Sequence, residues 1–138
     1  MNVPITLLAG VAAAAAWFVV GGALYMNPLV ARAYKNAQAS PALKKWPNVP
    51  KYIGLQFVGI LVQCLAWAFV FNLVKAALPG GVLAQGAWFG LILTAAKILG
   101  RLVDMWLQTT YPGRLLALEL VNGVIGSFVI AFVLAAII

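Results

Sequence analysis

Histidine is absent, cysteine occurs once, and only two side chains in 138 residues are acidic. The first two absences remove most of the common metal sites and every catalytic pair built on histidine. Cys64 is alone, so no disulfide forms within the chain; it sits in an apolar run, where it reads as a small packing residue. Charged residues make up 8% of the chain, against about 25% in soluble domains, which excludes a soluble fold. Nine basic residues against two acids leave a formal charge of +7. Most of the basic residues lie between apolar runs, where they set topology and meet anionic headgroups. Nucleic acid is therefore not the expected partner.

What is present is apolar sequence, at 65% hydrophobic residues. It falls into four runs, about 5–26, 52–74, 82–107 and 115–138. A run of about 22 residues gives a helix of about 33 Å, enough to cross a bilayer. The expected fold is a single all-α domain over 1–138, a bundle of four transmembrane helices with antiparallel, up-down topology. No basic region precedes the first run, and its apolar character continues past Ala12–Ala16. It is therefore read as a retained helix rather than a cleaved signal. Pro28 ends or kinks it.

The connection 32–51 carries Arg32, Lys35, Lys44, Lys45 and Lys51 and no acid. The positive-inside rule assigns it to the cytoplasmic face of a bacterial inner membrane, with both ends of the chain outside. Pro41, Pro47 and Pro50 deny this loop a long regular helix. Tyr34, Trp46 and Tyr52 fit an interfacial aromatic belt. The other connections, Leu78–Gly81 and Thr109–Arg114, are short.

The third run holds the unusual chemistry. Lys97, Arg101 and Asp104 stand at i, i+4 and i+7, so a regular helix presents them on one face. A charge at bilayer depth costs roughly 2.5–3.5 kcal/mol on insertion scales, and a partner is expected. The other acid, Glu119, lies in the fourth run, at about the depth of Arg101 or Asp104. The four charges sum to zero, and Arg101 is expected to fork onto Glu119 or Asp104. Gln56 and Gln63 on the second run, with Gly59 and Trp67, share a face expected to point at other helices. Asn122 extends the polar set. Such a cluster reads as a lock on helix register, a hydrated path, or a docking site for a partner's charge. Gly86 and Gly90 form a G-x-x-x-G, and Gly123 and Gly126 mark a small face on the fourth run. These four glycines allow close helix packing, within the bundle or between copies.

The stretch Gly22-Ala23-Leu24-Tyr25-Met26-Asn27-Pro28-Leu29-Val30-Ala31-Arg32-Ala33-Tyr34 resembles the end of the first helix in a bacterial family of small membrane proteins, domain of unknown function 1761. The likeness extends to a Gly/Trp-rich third helix, a short polar turn before Gly113-Arg114, and a glycine-containing last helix. The resemblance implies four spans and no particular activity. The chain departs from the family pattern in lacking its Trp-Tyr pair and in the charges of its third helix.

The expected function is a non-enzymatic membrane module, a structural or accessory subunit that partners lipid and either its own copies or other membrane subunits. The alternative is a small oligomeric channel or transporter for an ion or polar solute through Lys97, Arg101, Asp104 and Glu119. No catalytic residue and no metal ligand set is assigned. Lipid, pigment or quinone on the apolar faces would leave no signature in the sequence.

Overall fold

A computed structural model describes residues 2–37 and 39–138; Met1, and Gln38 within the basic loop, lie outside the described residues. Among the described residues, 85% are helical and none lies in a strand. Four helical stretches are long and apolar enough to cross a membrane. They are α1 (Val3–Met26), α3 (Val49–Val74, continued by a 3-10 turn over Lys75–Ala77), a third span, and α6 (Gly113–Ile137). The third span joins α4 (Val82–Leu93), a π-helical turn (Thr94–Leu99) and α5 (Gly100–Gln108). A short helix, α2 (Pro28–Ala37), follows α1. The first, second and fourth spans begin two or three residues before the positions expected from hydropathy.

Local chemistry explains these starts. The side chain of Asn2 accepts the amide of Ile5, and Asn48 accepts that of Lys51 at 2.9 Å. Each cap satisfies an orphan N–H, and each is followed by a proline in the first turn, where a missing donor costs nothing. At Asn27 the chain breaks, the Asn27 side chain accepts the amide of Leu29 at 2.9 Å, and Pro28 restarts it as α2. The basic loop therefore opens with a helix of its own. Val30 is buried on one side of α2, while Arg32, Lys35 and Asn36 are exposed on the other. At the opposite end of the molecule, the turn before α4 needs a left-handed residue, supplied by Gly80 at φ 83°.

The spans pack in the spatial order α3, α1, α6, α4. Neighbours run antiparallel: Gly10 meets Cys64 and Leu65, Trp17 meets Gly126, and Gly90 meets Phe128. In hydrocarbon nothing drives helices together by hydrophobicity, so close van der Waals fit must do it. Glycine supplies that fit here. Gly86 and Gly90 of α4 receive the rings of Phe132 and Phe128, so the G-x-x-x-G serves contact within the bundle. Gly123 receives Ile98 and Gly126 receives the Trp17 ring. The buried core of Ala9, Ala13, Cys64, Ala68, Phe71, Phe89, Leu93, Ile130 and Leu134 lies in the half away from the basic loop.

Span α3 is the least enclosed. Only 17% of its most apolar stretch is buried, against 44% for α6. It leans on α1, and reaches the third span where Phe71 meets Phe89 edge-on, at 5.0 Å between ring centroids.

A Cβ added at Gly90 would stand 2.6 Å from the Phe128 ring. Gly90→Val is expected to cost about 1–3 kcal/mol by overpacking. Gly59 has nothing within 4 Å, so Gly59→Ala should be neutral or stabilising by up to about 1 kcal/mol. Thermal unfolding of both variants in one detergent checks the contrast.

Candidate functional site

The charged residues of the third and fourth spans lie in the half of the bundle nearer the basic loop, in two groups rather than one, while a separate polar set at the other end joins Asn72 to Thr6 and Lys75 to the Ile138 carbonyl. The π-helical turn causes the division. Thr94 donates its hydroxyl to the Gly90 carbonyl at 2.8 Å, a back-bond that perturbs the helix at that turn. The following turn, Thr94–Leu99, holds roughly one residue more than an α-helical turn. Everything after it is rotated out of the expected phase. Lys97 is half-buried, whereas Arg101 and Asp104 are exposed. The single charged face expected from i, i+4, i+7 spacing is not formed.

Lys97 projects inward. Its Nζ lies 5.9 Å from the Trp17 ring centroid and close to the buried Cys64. Arg101, one turn away and of the same sign, lies near Lys97. Among the described residues, neither Lys97 nor Arg101 forms an ion pair with Asp104 or Glu119. The expected neutral four-charge lock is therefore corrected: the charges are present but unpaired. Cation–π attraction to Trp17, worth about 0.5–2 kcal/mol, is the contact left to Lys97.

Glu119, the expected cross-helix partner of Arg101, is engaged elsewhere. It accepts the hydroxyl of Tyr34, which α2 brings over the end of α6. Tyr25 meets Tyr34 edge-on at 5.8 Å. Tyr111, from the turn before α6, lies beside Tyr34, and Arg101 lies near Tyr111. Asn122 is only 3% exposed and stands near Tyr25. Its Nδ2 has no hydrogen-bond partner among the described residues. The second group is thus a carboxylate under three tyrosines with one open amide donor.

Burial, reinforced by the bond to Glu119, raises the Tyr34 hydroxyl far above the ordinary tyrosine range. Burial also raises Tyr111. Both stay protonated at neutral pH, so Tyr34 acts as a donor.

Gln56, Gly59 and Gln63 are exposed, which corrects the expectation that their face meets other helices. Phe71 turns toward α4, and helical spacing places Trp67, Gln63 and Gln56 on the same flank of α3. Span α3 meets the third span at Phe71–Phe89, and Gln63 and Gln56 stand exposed on the basic-loop side of that contact. Among the basic-loop residues, Arg32, Lys35, Lys44, Lys45 and Lys51 are all exposed.

With this geometry in hand, the comparison with known families is direct. The family described as a protein of unknown function (DUF1761) matches residues 8–138. The chain belongs to that family. No curated protein and no solved structure matches it. Membership covers most of the chain, including both polar groups, and carries no assigned activity.

Tyr25 and Tyr111 were not legible as site residues in the sequence. Tyr25 stood within the stretch that resembles the family, and Tyr111 within a polar turn. Only the packing of α1 and α2 on α6 brings Tyr25 and Tyr34 to Glu119, with Tyr111 beside Tyr34.

Two outcomes follow for the tyrosines. Tyr34→Phe removes a bond to a carboxylate, worth about 1.5–3 kcal/mol, and should release α2; faster tryptic cleavage after Lys35 would report it. Raised folded-state pKa values contribute stability that is fully present below the unfolded tyrosine value of about 10 and is lost as pH rises above it. Spectrophotometric titration should therefore show Tyr34 ionising well above the ordinary tyrosine range, with α2 released as pH rises there.

Proposed function

We propose that this protein is a non-enzymatic integral membrane module, an accessory subunit that docks an acidic group of a membrane partner at Lys97, in a crevice between α3 and the third span. The observation that carries this reading is Lys97: a cation near the middle of a span, turned inward, with no acid of its own chain paired to it. An unpaired charge at that depth is expensive, and supplying its counter-charge from outside converts the cost into affinity and register.

The chain's own acids are poorly placed for this in a parallel assembly of copies. Asp104 lies seven residues, about 10 Å, nearer the basic end than Lys97. Glu119 is taken by Tyr34. A transmembrane helix with one carboxylate near its centre, or a comparable acidic membrane partner, fits better than a second copy. Gln56 and Gln63 on the opposite wall supply neutral hydrogen-bonding groups. The orientation that goes with this reading places the basic loop on the cytoplasmic side of a bacterial inner membrane, with both ends of the chain outside.

A second reading, a small oligomeric channel or transporter, is favoured by one specific feature. Gln56 and Gln63 are exposed polar groups of α3 on the basic-loop side of the Phe71–Phe89 contact. One bundle of four helices encloses little volume, so such a path would need several copies.

A defined probe separates these. A Leu/Ala transmembrane peptide with a central Asp, co-reconstituted with the protein, should associate at least about tenfold more tightly than its all-apolar counterpart by energy transfer. Lys97→Met should abolish that preference while leaving thermal stability unchanged or raised, since it removes an unpaired charge. Equal binding of both peptides overturns the docking reading. Lys97-dependent ion flux in protein-loaded liposomes, without peptide preference, favours the transport reading.

A further inference from the structure

We propose that the pocket walled by Tyr34, Leu43, Lys44, Lys45 and Trp46 binds the phosphodiester headgroup of an anionic phospholipid. The inference is independent of the docking reading, because it rests on α2 and the basic loop rather than on the crevice at Lys97.

The pocket has a volume of about 440 Å³, within the range of small-ligand sites. Its lining contains two adjacent lysines and no acid. The lysines are not free-floating. Lys44 Nζ stands 4.4 Å from the Trp46 ring centroid, and Trp46 lies against Tyr52 at the start of α3, 5.6 Å between centroids. An aromatic pair anchored on a membrane span thus holds one cation at the pocket wall. Tyr34 also lines the pocket, and its ring is held because its hydroxyl is given to Glu119.

Depth and lining select a lipid over a free anion. Helix α2 is amphipathic and lies at the end of the bundle, with its own Leu29 and the preceding Met26 strongly exposed. A helix of this kind sits at the boundary between headgroups and acyl chains. The pocket opens at that level, where phosphates are concentrated. A free phosphate would use only the lysines. The two rings and Leu43 offer apolar surface, which suits a glycerol backbone and the first acyl carbons.

The test uses the purified full chain in a zwitterionic detergent. Phosphatidylglycerol added to the micelles should raise the melting temperature saturably, whereas phosphatidylcholine and inorganic phosphate should not. Lys44→Gln/Lys45→Gln should weaken the apparent affinity by roughly thirtyfold, taking each lysine's contribution near an anionic surface at its usual size. Lys35→Gln/Lys51→Gln, with the same change in net charge, should leave it within a few-fold of wild type. Equal losses in the two double variants overturn the site in favour of diffuse charge attraction. A shift with inorganic phosphate alone overturns the lipid assignment. Native mass spectrometry of the wild-type protein gives a readout that needs no variant: phosphatidylglycerol should stay bound at collision energies that strip phosphatidylcholine, and equal retention rejects the proposal.

Discussion

Close approach between helices, made where a glycine on one receives a bulky side chain from its neighbour, is the constraint on which this bundle rests. In lipid, apolar surface gains nothing by turning inward, so the helices are held by fit. The span α6 concentrates that fit. Its Phe128 and Phe132 enter the notches at Gly90 and Gly86, while its Gly126 and Gly123 accept Trp17 and Ile98. These contacts make α6 the seam between α1 and the third span, and they set the spatial order of the four spans.

The same constraint determines where the bundle is incomplete. Having packed on α1, α3 has no glycine notch for the third span, and the Phe71–Phe89 contact joins them only in the half with the apolar core. The other half holds Lys97, Arg101, Asp104 and Glu119. The π-helical turn then sorts them. It turns Lys97 toward Trp17 and leaves Arg101 and Asp104 exposed, while α2 folds back to place Tyr34 on Glu119. A protein with a neutral internal lock would be self-contained. This one has an inward cation and a carboxylate already engaged by Tyr34.

Much of this was legible in the residues. Four apolar runs of spanning length, separated by a basic loop and two short turns, allow few other folds, because backbone groups in hydrocarbon must be satisfied within helices. Gly86, Gly90, Gly123 and Gly126 were marked for packing by size alone. The polar site was legible as an inventory but not as an arrangement. Lys97, Arg101, Asp104 and Glu119 could be named, yet their phase depended on a turn that α-helical spacing does not reveal. Tyr34 looked like an interfacial belt residue, because its partner is 85 positions away.

The sequence by itself determined the solvent this protein lives in, its four spans, and the scarcity of acid that leaves basic residues in want of partners. Those properties follow from composition and local pattern, which the lipid environment reads directly. The tertiary structure alone decided which charges meet. One extra residue in a helical turn, and a short helix folded back at Pro28, rotate and relocate side chains by more than an ion pair can reach. For that reason, the neutral sum of four charges did not become a set of salt bridges.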